Sequence, residues 1–255
     1  MAPPLRPYYS SKGYSAVHYD AVTAADPRLA GDIDIYAGLA SGPSDILELG
    51  TGTGRVALAL LERGHRILGL DIAPTMLDQA LAKREALGAE QRDRLRFKLG
   101  DMTSLALGET FDLVICPYFT LAHVPTGAAW RNTFEGVARH LRSGGQAAFH
   151  LPTEEGVQRP QPPSDKPALV RPLAGGGHFA IFVIDQKYNP KFGRVDLVLD
   201  YVTTPAPGAP AIRSRERLTN YVADPRPYAE AAGLRMEADP IVFGEIGAIH
   251  AFRKP

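Results

Sequence analysis

Three glycines at alternate positions, Gly50, Gly52 and Gly54, directly follow the run Ile46-Leu47-Glu48-Leu49. Glycine carries no Cβ and adopts positive φ without strain, so such a loop lets backbone close around a ligand. The next segment, Val56 to Leu61, reads as a helix. Its N-terminus offers unpaired N–H groups and the positive end of a dipole. A second apolar run, Arg66 to Leu70, ends on Asp71. A carboxylate at a strand tip about 20 residues beyond such a loop accepts both hydroxyls of a ribose. The layout is that of a nucleoside-binding site. Dinucleotide sites carry G-x-G-x-x-G, whereas the spacing here is G-x-G-x-G behind Glu48.

These residues need a scaffold, and strands and helices alternate along the chain to supply one. Strands are predicted at Ile46–Leu49, Ile67–Leu70, Leu95–Leu99, Leu113–Cys116 and Ala147–Leu151. Helical spacing falls between them, with Pro74 suited to a first turn and Trp130, Phe134, Val137 and Leu141 forming an apolar stripe. That order predicts a parallel sheet with right-handed crossovers. Ahead of it, Pro3 to Ser11 reads as a flexible lead-in and Tyr14 to Ala40 as helical. After Leu151 the pattern changes. Pro152 to Gly177 is rich in proline and glycine and reads as a loop or lid. Phe179–Tyr188, Val195–Thr203 and Ile212–Tyr221 then read as a small antiparallel sheet. Leu234–Ala238 and Gly247–Arg253 return to the main sheet.

Glu48, Gly50, Gly52 and Gly54 match the E/D-x-G-x-G-x-G motif, and here the chain resembles the class I S-adenosylmethionine-dependent methyltransferases. The resemblance continues through Asp71, Gly100-Asp101-Met102, Phe111 to Ile115 and Leu141 to Gly145, in the family's order. It implies an α/β fold, a seven-stranded Rossmann-like sheet with helices on both faces, with a small antiparallel β insertion. It implies an N-terminal helical lid over 1–43, a cofactor domain over 44–151 and 222–255, and an inserted substrate or lid subdomain over 152–221. The layout is similar to that of glycine and amino-sugar N-methyltransferases.

The resemblance also implies roles. Gly50, Gly52 and Gly54 admit the methionine part and ribose, with Thr51 and Arg55 bordering the loop. Glu48 orients the cofactor's amino group, Asp71 holds the ribose, and Ile72 covers one adenine face with Met76 as a second apolar candidate. Asp101, with Met102 beside it, meets the adenine amine. Tyr118 and Phe119 wall the sulfonium, whose charge is attracted to aromatic faces, and Pro117 beside them is a further cofactor-binding residue. His123 and His150 are candidate bases, and Tyr19 is the choice among the N-terminal tyrosines for ligand contact. Arg213, Arg215 and Arg217 alternate on one strand face, which suits an anionic substrate or a solvated surface. Cys116 reads as a small buried hydrophobe.

The chain has 255 residues and a formal net charge of zero, with no block of like charges. That argues against electrostatic capture of nucleic acid. The lone cysteine excludes an internal disulfide framework. Absence of an apolar run near 18 residues or of a signal h-region leads to the expectation of a cytoplasmic protein off the membrane. Neither H-E-x-x-H nor C-x-x-C occurs, so no metal is expected. The expected activity is methyl transfer from S-adenosylmethionine to an N or O nucleophile of a small molecule, leaving S-adenosylhomocysteine. A nicotinamide-dependent oxidoreductase and a non-catalytic cofactor-binding subunit are the competing readings. A homodimer is compatible with the chain, although no interface is readable.

Overall fold

The computed structural model describes residues 3–24, 26–158, 163–173, 175–244 and 246–255. The elements before the insertion are β1 (Leu5–Pro7), α1 (Tyr19–Thr23), α2 (Asp32–Gly38), β2 (Asp45–Leu49), α3 (Arg55–Glu62), β3 (Arg66–Asp71), α4 (Pro74–Glu85), α5 (Ala89–Arg94), β4 (Leu95–Leu99), β5 (Phe111–Cys116), α6 (Ala128–His140) and β6 (Leu141–Pro152). Then come α7 (Glu154–Gln158), β7 (Leu169–Pro172), β8 (His178–Asn189), β9 (Arg194–Thr204), β10 (Ile212–Tyr221), α8 (Arg226–Ala231), β11 (Arg235–Met236), β12 (Ile241–Phe243) and β13 (Gly247–Arg253). They group into two compact units, Met1–Ala25 with Val157–Tyr221, and Asp26–Gly156 with Val222–Pro255.

The larger unit holds the expected sheet, in the order β11-β13-β6-β5-β2-β3-β4, with β12 added against β13. Strands β4, β3, β2, β5 and β6 run parallel, and β13 closes antiparallel on β6. Alternate side chains feed two cores. Leu47, Leu49, Val114 and Phe149 pack with Trp130, Phe134 and Val137 of α6. Ile46, Ile67 and Ile115 pack with Tyr36 of α2 and Val56, Leu60 and Leu61 of α3. Both faces are therefore covered, which is why the central strands read as apolar runs. The order reverses at β2, which lies between β3 and β5. In open α/β sheets the crevice beyond the strands' carboxyl ends at such a point is where ligands bind.

The smaller unit is a five-stranded sheet in the order β1-β10-β9-β8-β7. Phe179, Ile181, Val183, Leu199 and Tyr201 form its core, with Tyr8, Tyr14 and Val22 packed against it. Two expectations are corrected here. The lead-in Pro3 to Ser11 is not a flexible tail, because Leu5–Pro7 pairs in parallel with Arg215–Arg217. The stretch Tyr14 to Ala40 is not one helix, because Pro27 opens a 3-10 turn and Gly31 takes φ 92°. Asp26 begins the larger unit, so residues 1–43 are shared between the two units. The region Pro152 to Gly177 also holds more order than a loop, since α7 and β7 fall within it.

Candidate active site

The glycine loop takes the shape its composition requires. Gly50, Gly52 and Gly54 have φ of 68°, 57° and 82°, in the left-handed region where a Cβ is strained. The amides of Gly50 and Thr51 both donate to the Leu70 carbonyl at the end of β3, at 2.7 and 2.9 Å. Gly50 also allows close approach, because a Cβ there would lie 2.0 Å from Cγ2 of Thr120. The Thr120 hydroxyl donates to the Pro117 carbonyl at 2.8 Å. The loop after β5 therefore rests on the glycine loop. Lys83 of α4 donates to the Thr53 carbonyl at 3.0 Å.

Asp71 sits at the tip of β3 and joins the loop to the strand. Its Oδ2 accepts from Gly52 N at 2.7 Å and its Oδ1 from Ala73 N at 2.8 Å. Burial raises its pKa and these backbone N–H groups lower it. An ionised carboxylate has about four acceptor positions, so both oxygens retain capacity for a diol. Ile72, next in the chain, is 68% exposed. Leu99, the register partner of Asp71 on β4, is 57% exposed. The amide of Gly100 donates to the Asp71 carbonyl oxygen at 2.9 Å. Two large apolar side chains thus stand in the open beside a carboxylate that faces the loop. Leu99 is a residue that sequence reasoning missed, although it ends the predicted strand 95–99 and its apolar type at a strand tip was a usable signal.

Glu48 is buried on β2 and accepts from the Thr51 hydroxyl at 2.9 Å. Burial pushes its carboxyl up to about 8, with Thr51 and then Arg55 acting in the opposite direction. Arg55 opens α3 and bonds Asp32 of α2 with both terminal nitrogens, at 3.0 and 2.5 Å. Gly69 makes room for Thr51, whose Oγ1 would lie 2.6 Å from a Cβ placed there. Met76 is buried within α4 at 2% exposure. Asp101 is exposed, and its Oδ1 accepts from the amide and hydroxyl of Thr103, each at 2.8 Å. Met102 packs against the core.

On the side of β5 and β6 the chain is strained. Tyr118 and Phe119 are consecutive non-glycine residues with φ of 48° and 61°, each costing on the order of 1–3 kcal/mol. The Phe119 amide donates to the His150 carbonyl at 3.1 Å, and the two rings lie 4.4 Å apart. His150 is buried between Phe119, Phe243 and Gly247, where a Cβ would lie 2.6 Å from its Nε2. Pro117 is buried, and His123 closes the 3-10 turn Thr120–His123. Burial pushes the Cys116 thiol up, in keeping with a hydrophobic role.

Other candidates lie in the smaller unit. Tyr19 stands edge-on to Tyr9 at 5.8 Å. Arg215 is engaged within the sheet, since Nε and Nη2 bond the buried Asp200 at 2.7 and 2.8 Å. Arg213 also approaches Asp200, at 3.4 Å. An arginine row gripping an anion is therefore replaced at Arg215 by an internal ion pair.

Residues 46–145, which span the loop, Asp71 and β5, match the family model described as a methyltransferase domain. These residues carry the chain's likeness to a methyltransferase domain. The chain is 41% identical over 106 residues to the release factor glutamine methyltransferase of Rhodospirillum rubrum, which covers 39% of this chain and 32% of that protein. The chain thus spans about a third of that curated relative. Among solved structures, a sugar N-methyltransferase from Streptoalloteichus superposes with a TM-score of 0.72 at 18% identity, covering 100% of this chain and 98% of that one. An amino pentose methyltransferase from Micromonospora echinaspora, solved with S-adenosylmethionine bound, gives 0.67 at 21% identity, covering 93% and 96%. These likenesses establish the fold of both units, including the insertion that the domain match does not reach. Among the described residues, no helix is long and apolar enough to cross a membrane.

Proposed function

We propose that this protein methylates the amino nitrogen of a small molecule. The observation that carries the reading is the junction of Asp71 with Gly52, which sets a carboxylate and three left-handed glycines around one crevice. The residues fit S-adenosylmethionine. Asp71 would hold the ribose hydroxyls, Ile72 and Leu99 would flank the adenine, and the loop backbone would face the methionine part. Glu48 is the acid nearest the start of the loop and would answer the cofactor's amino group. Bound there, S-adenosylmethionine supplies a methyl group on a positively charged sulfur, displaced in line by a nitrogen lone pair.

The chain's own task is placement. Aligning an acceptor with the reacting carbon accounts for several orders of magnitude in rate. An amine that arrives as its ammonium form must also lose a proton, and His123 on the loop after β5 is the proposed base. Support for nitrogen over oxygen comes from the two whole-chain structural neighbours, described as a sugar N-methyltransferase and an amino pentose methyltransferase. A cytoplasmic protein acting on soluble acceptors, away from nucleic acid and membrane, is in keeping with the balanced charge of the chain.

Incubation with methyl-labelled S-adenosylmethionine and a panel of amino sugars, amino acids and polyamines tests the reading. Label recovered on an amine nitrogen is the expected result. Label recovered only on hydroxyl or carboxyl oxygens overturns the nitrogen assignment.

A further inference from the structure

The strained loop after β5 is tied to a distant carboxylate. The Tyr118 hydroxyl donates to Oδ2 of Asp26 at 2.9 Å, across 92 residues of sequence. Asp26 immediately precedes the 3-10 turn Pro27–Leu29, and its own carbonyl accepts from the Leu29 amide at 3.1 Å. The side chain thus reaches out of its own turn to the aromatic loop. Both partners belong to the larger unit. The loop they share is also the one whose Thr120 lies against Gly50. Two left-handed non-glycine residues in succession hold Tyr118 and Phe119 in this arrangement, and strain of that kind collects at ligand sites.

The Asp26 carboxylate is bonded to the hydroxyl of Tyr118, whose ring stacks on that of Phe119 at 5.8 Å. The carboxylate offers charge and hydrogen-bond acceptors to an ammonium group. Aromatic faces add attraction to the same cation through their quadrupoles. A neutral hydroxyl gains much less from either. The loop lies where the acceptor must stand, beside the crevice at the carboxyl ends of β2 and β5.

We propose that Asp26, oriented by Tyr118, is the specificity residue that selects a cationic amine over its hydroxyl counterpart. The assignment rests on the amine reading given above and adds the residue that enforces it. Asp26 acts on binding of the acceptor. It leaves cofactor binding to the glycine loop and Asp71.

The test is binding to the protein loaded with S-adenosylhomocysteine, read by calorimetry before any turnover. Primary amines from three classes (amino sugars, amino acids and polyamines) are each titrated beside the matching hydroxyl compound. The wild type is expected to prefer an amine of the panel. Asp26→Asn keeps the shape and removes the charge, and it is expected to weaken that amine about 30-fold, as for loss of a charge-assisted hydrogen bond. Asp26→Glu should restore part of the preference, and Tyr118→Phe should cost about 5-fold by releasing the carboxylate. In turnover, Asp26→Asn should raise KM for the amine while kcat changes little.

S-adenosylhomocysteine affinity equal to that of the wild type shows that each variant is folded. Undiminished amine preference in Asp26→Asn overturns the assignment. So does a cofactor-loaded wild type that prefers no amine to its hydroxyl partner. Loss of cofactor binding by the wild type would instead overturn the methyl-transfer reading.

Discussion

The two sides of the crevice are built differently. On the side of β2 and β3, Gly50 to Gly54 and Asp71 meet through backbone amides within about 20 residues. On the side of β5 and β6, the strained pair Tyr118 and Phe119 is held by Asp26, His150 and Gly247 from remote parts of the chain. The smaller unit shows the second style again. Tyr14 and Ser15 donate their amides to the buried carboxylate of Glu216, about 200 residues away, at 2.5 and 3.2 Å. A site held by local backbone serves a constant ligand. A site held by side chains over long separations can change its ligand by changing single residues. On the proposed function, the side of β2 and β3, of the first kind, would take the cofactor, and the side of β5 and β6, of the second kind, would take the acceptor.

The sharpest way to break the local side is to add a single carbon. Gly50→Ala places a Cβ at φ 68° and 2.0 Å from Thr120 Cγ2. Backbone strain and overpacking together should cost about 4 kcal/mol, read as a lower midpoint in denaturant. Shortening Thr120 to Ala in the same chain should recover the overpacking part and leave the strain. A double-mutant cycle showing no coupling would separate the two loops.

The distributed side breaks through charge. Arg215→Ala leaves Asp200 buried at 1% exposure with its bidentate partner gone. The expected cost is about 3 kcal/mol of stability in the smaller unit, with cofactor affinity unchanged. Calorimetric affinity that fell in parallel would show that the comparison is drawn too strictly.

A pH-dependent effect follows from Glu48, whose carboxyl is raised by burial from 4.5 to about 8. The unfolded chain loses this proton at lower pH than the native protein. The stability conferred by the protonated form is therefore full below about pH 4.5 and is lost progressively as pH rises to about 8. Glu48→Gln carries no such titration and should flatten the fall in stability between those limits. Equal slopes in both proteins, measured by denaturation at several pH values, would place the titration elsewhere.

The same contrast explains what could be read from the chain before its fold. Positive φ at Gly50, Gly52 and Gly54 has a compositional signature because glycine tolerates it. Tyr118 and Phe119 adopt the same region without glycine, so their strain left no mark. The parallel sheet was legible because its strands are covered on both faces and read as unbroken apolar runs. Asp26 and Tyr118 share neither periodicity nor spacing, and only tertiary folding joins them. The alternation of Arg213, Arg215 and Arg217 was visible, but Asp200 is the partner of Arg213 and Arg215 only through the pairing of β9 with β10. The break of the N-terminal helix was signalled by Pro27 and Gly31, which the apolar spacing around them outweighed.

Calorimetric titration of S-adenosylmethionine into the wild type and Asp71→Ala tests the central claim most directly. Micromolar binding by the wild type and a loss of about 100-fold or more in the variant are expected, since two hydrogen bonds to a charged group are removed. Equal affinity in the two proteins would contradict it, because the carboxylate that joins β3 to the glycine loop would then take no part in holding the cofactor.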